Sequence, residues 1–482
     1  MTPRRTVAVA GILLATFLSA TESTIIATAM PSVVADLGGI ELYGWVGAMY
    51  MLATTVSIPI WGKLADLWGR KPVILAGIAT FLLGSIACGA APSMGALIAA
   101  RVLQGVGAGG VQPISLTIIG DMFAPKERAR MQGVTGAIWG VAAIAGPILG
   151  GLVVHALSWR WVFYLNVPFG VLAIALLAPS LESRPSADER RRIDVAGALL
   201  LATAVLSLLS GVAGRAPALL LPLAAASTAA FVWVERRQPE PLVPMDLMRQ
   251  RVIAVSSGVS VVVGGVMTAT VIYLPLYAQS VLRASPAAAG ASVAPMLVGW
   301  PIASVLSGRL LLVTGTRPLV RFGFSLVGVS AIALDVLVHR GASVGALGTC
   351  MFAFGVGMGI ASTANIITVQ DSVPFSRRGV ATAGAMFFRT VGGAVLVGVL
   401  GVVLARSITG RVPEDVLDAL LGPDHGRTLG ATVEPYRGAM QAGMTPLFHV
   451  VAVVAIAGAL VAFLYPRVHV GEAHEAVAAP GE

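Results

Sequence analysis

Apolar residues in this chain fall into runs of 19 to 28 with few or no charges. Each run is long enough to cross a hydrocarbon core about 30 Å thick. The pattern predicts fourteen helical spans, near 7–31, 43–61, 73–91, 95–120, 131–154, 161–179, 194–213, 216–234, 253–280, 288–307, 319–338, 343–370, 380–404 and 445–465. An all-α membrane protein follows, and a water-soluble chain is excluded.

Polar punctuation divides the runs. Residues 181–194 are charged, and residues 235–251 form a second break with Pro239, Pro241 and Pro244. A faint internal repeat lies on either side. Gly62-Lys-Leu-Ala-Asp-Leu-Trp-Gly69-Arg-Lys71-Pro72 aligns without gaps on Gly308-Arg-Leu-Leu-Leu-Val-Thr-Gly315-Thr-Arg317-Pro318. Gln104-Gly-Val-Gly-Ala-Gly109 then answers Phe354-Gly-Val-Gly-Met-Gly359, and Asp121, Pro125 and Arg128 answer Asp371, Pro374 and Arg378. The expected organisation is a six-helix half (1–180), a linker carrying inserted spans 7 and 8 (181–252), a second six-helix half (253–466) and a tail (467–482). Parallel six-helix repeats place a substrate path at their interface, near the midplane. The stretch 413–421 in the long loop 405–444 is apolar on one helical face, as expected of a short helix at the membrane surface or of an ordinary loop helix.

Composition agrees: 56% of residues are apolar and 11% charged, with a mean hydropathy of +0.86. A soluble domain carries about 25% charged residues. The net charge of +9 could suggest a nucleic-acid partner, so its placement matters. Counted by side of the predicted spans, 22 Lys and Arg lie with the N-terminus and 8 on the opposite side, while Arg101 and Arg389 lie within spans. The positive-inside rule then puts both termini in the cytoplasm and explains the charge without nucleic acid. Cys88 and Cys350 fall inside spans, with neither a disulfide framework nor metal-ligand spacing. The first apolar run is longer than a secretory leader, lacks a small-residue cleavage site and is interrupted by Glu22, so it is expected to stay as the first span. Three lysines beside 29 arginines, with abundant Ala and Gly, suggest a GC-rich bacterial genome and a bacterial plasma (inner) membrane.

Ionisable groups within spans cost a few kcal/mol each to insert and mark function. Glu22 is the only acid within the first span and Arg101 the only charge within the fourth. At 1.5 Å per residue they lie about 14 Å and about 9 Å below the outer ends of their helices. They could therefore face one another or share a cavity. Burial raises a carboxyl pKa and a guanidinium lowers it, a balance that suits a group exchanging protons; the alternative is a fixed structural ion pair. In the second loop, Gly62 and Gly69 allow a tight turn, while Arg70 and Lys71 face the anionic leaflet. Asp66 could accept hydrogen bonds at a helix N-terminus, where the dipole favours an anion. The repeat has Leu312 in its place, so this latch occurs once. The fifth span holds Gly136-Ala-Ile-Trp139-Gly140 and Gly146-Pro147-Ile-Leu-Gly150-Gly151; glycines four apart allow close helix approach and Pro147 bends the helix.

Together these segments resemble the major facilitator superfamily, and within it the fourteen-span drug:proton antiporter family. Gly62–Leu75 matches the superfamily's loop 2–3 motif, and Leu97–Gly107 matches the fourth-span motif whose arginine is implicated in proton coupling. Gly136–Gly151 is similar to the antiporter motif of the fifth span. Ser158–Gly170 and Arg378–Ala383 are similar to signatures of the fourteen-span branch. The first-span motif of the family carries Asp where this chain has Glu22. The resemblance implies a major-facilitator-type fold of two six-helix halves plus two inserted helices. It also implies proton-driven export of small, largely apolar or amphipathic compounds by alternating access, with no cofactor, no enzymatic activity and no obligate protein partner. An exporter of lipid-like molecules is the alternative. A non-transporting sensor would need a soluble domain, and no segment between spans is long enough for one; a P-loop is absent. Tyr50, Gln104 and Trp139 are expected at a substrate cavity. Arg389 is expected to be structural, or to pair with the Asp66 loop or lipid phosphate.

Overall fold

The computed structural model describes residues 3–39, 42–182, 194–238, 240–408, 411 and 436–467, apart from the side chains at 27, 143, 144, 147, 286, 287 and 312. The expected surface helix at 413–421 and most of the tail 467–482 lie outside these residues. Every regular element described is helical, as a bilayer demands of backbone that must satisfy its own hydrogen bonds. In chain order they are α1 (Pro3–Leu37), α2 (Tyr43–Trp68), α3 (Arg70–Gly89), α4 (Met94–Met122), α5 (Pro125–Ala156), α6 (Arg160–Tyr164), α7 (Asn166–Ser180), α8 (Val195–Val212) and α9 (Pro217–Glu235). There follow α10 (Met245–Arg249), α11 (Arg251–Ser280), α12 (Pro286–Thr314), α13 (Thr316–His339), α14 (Val344–Asp371), α15 (Arg378–Ile408) and α16 (Arg437–Phe463).

Among the described residues twelve helical stretches are long and apolar enough to cross a membrane, α6 and α7 counting as one. Of the fourteen expected spans, the two on α2 and α5 are not among them. Helix α2 has the length, at 26 residues, but Gly, Thr, Tyr and Trp dilute its apolar character; in α5, 32 residues long, positions 143, 144 and 147 of the apolar part lie outside the residues whose side chains are described. Large aliphatic side chains point outward: Leu83, Leu152, Leu199, Leu219 and Val329 are each more than 60% exposed. Water would not tolerate such a surface, and lipid favours it.

Contacts divide the chain into two compact units. The first comprises Met1–Leu206, Ala226–Gln250 and Val369–Phe387; the second comprises Ser207–Ala225, Arg251–Thr368 and Phe388–Glu482. The stretch Val369–Phe387, which the repeat assigns to the second half, thus packs with the first unit. In that unit α4 lies against α2 and α3, while α1 lies against α5 and α7. In the second unit α16 packs on α13 and α11, and α11 on α12.

Glycines set the closest approaches, and they do so twice. A methyl group on Gly105 would run into the carbonyl of Tyr50, one on Gly107 into the backbone of Phe81, and one on Gly109 into Ser57 and the carbonyl of Thr54. In the second unit Gly355 abuts the carbonyl of Met296, Gly357 that of Gly323, and Gly359 that of Trp300. The glycines are 250 positions apart between units, and the partners Tyr50 and Met296, like Thr54 and Trp300, are 246 apart, so the faint repeat is a repeat of packing. The turns correspond too: Gly69 and Gly315, between α2 and α3 and between α12 and α13, have φ of 88° and 76°, a region that side chains with a Cβ avoid.

Candidate functional site

Glu22 and Arg101 meet. Their side chains are 0% and 1% exposed, and Arg101 Nη1 donates to Glu22 Oε1. The same nitrogen donates to Gln104 Oε1 at 2.6 Å, and Arg101 Nε donates to the carbonyl of Val46 at 3.3 Å. Tyr50 lies flat beneath the guanidinium, its ring centre 4.1 Å away. The second carboxylate oxygen accepts from Asn166 Nδ2 at 2.7 Å; Asn166 and Gln104 also both donate to Ser85 Oγ, at 3.2 and 2.7 Å. Helices α1, α2, α3, α4 and α7 each supply one wall. Tyr50 and Gln104, expected at a cavity, instead belong to this enclosed network. Trp139 is partly buried, and its indole N–H is enclosed without a hydrogen-bond partner among the described residues.

A buried ion pair holds only while both members are charged and hydrogen-bonded, and loss of one charge strands the other. A proton arriving at Glu22 would therefore cancel its attraction to Arg101.

The second constellation sits at the end of α2. The Asp66 carboxylate accepts from the backbone N–H groups of Gly379 and Val380 at 2.9 and 2.7 Å, at the N-terminus of α15. This is the dipole contact expected of it. Arg70 lies 2.7 Å from Asp66 and 3.1 Å from Asp121, and donates to the carbonyl of Phe375. Burial pushes the Asp66 carboxyl up to about 6, against the pull of Arg70 and the two amides. Asp121 also accepts from Arg378 at 3.2 Å, and Arg128 pairs with Asp371 at 2.5 Å. Gly62 is required here, since a Cβ would strike Ala383 and the carbonyl of Gly379. Lys71 is partly buried beside this cluster.

In α5, Gly146 and Gly150 seat the threonines of α1: a Cβ on either would collide with Thr24 or Thr28, and Thr24 donates to the carbonyl of Ala142 at 3.1 Å. Gly151 is different. It is exposed, with nothing within 4 Å of an added Cβ, and takes no part in the seam. The side chain of Pro147 lies outside the described residues. Arg389 contacts Met267 and Trp300 on α11 and α12.

The sequence profile of the Major Facilitator Superfamily matches residues 12–397. The chain belongs to that superfamily. Among superfamily relatives, the "Multidrug transporter protein MdtP" of Bacillus subtilis is 34% identical over 414 residues, covering 84% of this chain and 76% of that protein. "Multidrug resistance protein 3" of the same organism is 32% identical over 418 residues, covering 84% and 80%. The fold is that of the superfamily transporters of known structure. The human organic anion transporter MFSD10 superposes with a TM-score of 0.62 at 15% identity, over 94% of this chain and all of that one. The proton:xylose symporter XylE gives 0.64 at 13% identity, over 98% of each.

Within this superfamily member, sequence reading had placed no role on Asn166, Ser85, Arg128 or Arg378. Asn166 had a signal: it is the only amide in the apolar run 161–179. Arg128 and Arg378 were visible as repeat partners, but a repeat does not say which acid each would choose.

Proposed function

We propose that this chain is a fourteen-span, proton-coupled antiporter that exports small, largely apolar or amphipathic compounds by alternating access across a bacterial plasma membrane. Both termini are cytoplasmic in this reading, protons and membrane lipid are its other partners, and it needs no cofactor. One observation carries it: a fully buried carboxylate, Glu22, whose two oxygens are held by Arg101 and Asn166. A proton is the smallest ligand that can compete for such an oxygen. The named multidrug relatives support the substrate class. The helix-end cluster around Asp66 acts as the cytoplasmic gate, since it ties α2 to the start of α15 by bonds that must break for those ends to part.

The test uses proteoliposomes with an imposed pH gradient and a panel of apolar fluorescent dyes. Dyes that the wild type drives uphill are not driven by Glu22→Gln, which retains downhill exchange, while Glu22→Asp pumps. Uphill transport by Glu22→Gln at the wild-type rate would remove Glu22 from the coupling step.

A further inference from the structure

Arg389 has no role in the reading above, and its surroundings are unlike those of Arg101. It lies eleven positions beyond Arg378, the first residue of α15, which is about 16 Å along the helix. Its guanidinium does not turn back toward that helix end. It contacts Met267, sixteen positions into the thirty-residue α11, and Trp300, at the midpoint of the 29-residue α12. The charge is therefore held near the middle of three helices, beyond the reach of a lipid headgroup at either surface.

Among the described residues no acid pairs with it. Helices α11, α12, α15 and α16 contain no Asp or Glu. The two carboxylates on α13 and α14 are engaged elsewhere, Asp335 by His339 and His449 and Asp371 by Arg128. Among the described residues, the one hydrogen bond of Arg389 runs from Nη2 to the thioether of Met267 at 3.3 Å, a weak acceptor. The indole of Trp300 supports the cation, with its ring centre 5.1 Å away. An arginine fork with most of its N–H groups uncommitted, in low dielectric and backed by an aromatic face, is built to take an oxyanion. The repeat sharpens the point. The equivalent position, eleven beyond Arg128, is Trp139, so only the second unit places a charge here.

From this we infer that Arg389, backed by Trp300, receives the negative charge of an amphipathic organic anion, with a monocarboxylate the best fit. The inference deepens the export reading by naming a substrate class, and rests on it for the passage of that anion. Binding at the site can be measured without transport.

The experiment uses the full chain in zwitterionic nanodiscs, without a gradient, and three probes: pyrenebutyrate, its methyl ester, and a pyrenebutyl trimethylammonium. Wild type is expected to bind the carboxylate at least ten times more tightly than the ester, and the cation most weakly. Arg389→Gln should abolish the preference for the acid while leaving ester affinity within twofold, and Arg389→Lys should keep part of it. Equal affinity of wild type for acid and ester, or a preference that survives Arg389→Gln, would overturn the assignment. Intact preference together with absent proton-driven pumping would instead count against the export reading alone.

Discussion

Arg128 and Asp371, 243 positions apart, form an ion pair at 2.5 Å in which both side chains are almost wholly buried. The repeat-related residues Arg378 and Asp121 pair at 3.2 Å. Each arginine has thus taken the acid of the other repeat.

Removing one member of such a pair leaves a buried charge uncompensated, at a cost of about 3–5 kcal/mol. Arg128→Met or Asp371→Leu alone should destabilise the protein by that order. The double variant should recover most of the loss, because no charge is then stranded. Unfolding in detergent micelles, compared across the four proteins of the cycle, measures the recovery; additive losses would show that the two side chains do not act as a pair.

Asp66 gives the helix-end cluster a pH dependence whose sign can be worked out. Its carboxyl is raised from an ordinary 3.8 to about 6 in the folded protein, so between those values the folded state binds more protons than the unfolded chain. Stability from this group is greatest at acid pH and falls as pH rises through 6, by up to about 3 kcal/mol. The stability difference between wild type and Asp66→Asn should therefore shift toward wild type by that order between pH 6.5 and pH 4. Transport should also slow in Asp66→Asn with substrate affinity nearly intact, since a neutral amide cannot receive two N–H groups as an anion does. Lost substrate affinity with normal exchange kinetics would contradict the gating role.

The inserted helices α8 and α9 have no partners in the repeat, and they present Val195, Leu199, Leu219 and Trp233 outward, each more than half exposed. Their acids lie at their ends, Asp194 just before α8 and Glu235 as the last residue of α9. A route for protons or ions needs polar groups in low dielectric, and the middles of these helices offer only the hydroxyls of Thr203, Ser207, Ser227 and Thr228. We therefore expect no transport path along them. A cysteine scan of 195–212 and 217–235, labelled from water with and without the pyrene ester, should find no substrate-protected position at mid-helix.

Much of this was legible in the chain because membrane helices are written as uninterrupted apolar runs and because charges inside them are rare. Glu22 and Arg101 could be matched by depth alone, and the Asp66 contact followed from helix electrostatics. Partner choice was harder. Asn166 and Ser85 complete the Glu22 site through α7 and α3, and no spacing rule links residue 166 to residue 22. The apolar criterion also picks out α8 and α9 readily while passing over α2. That helix carries Tyr50 to the Arg101 site, and its sequence is correspondingly mixed. Gly151 belongs to the same motif as Gly146 and Gly150 but lies exposed, outside their seam with α1.

The glycine face of α4 has a mechanical consequence. Side chains act as compressible spacers between helices, and where they are missing the two backbones bear directly on one another. At Gly105, Gly107 and Gly109 there is no rotamer left to turn and no methylene to yield, so sliding α4 past α2 or α3 would drive main chain into main chain. These helices must travel together as a single strut. Any displacement this protein makes has to be taken up at seams padded by side chains, and α2, α3 and α4 serve as the rigid frame against which such seams open.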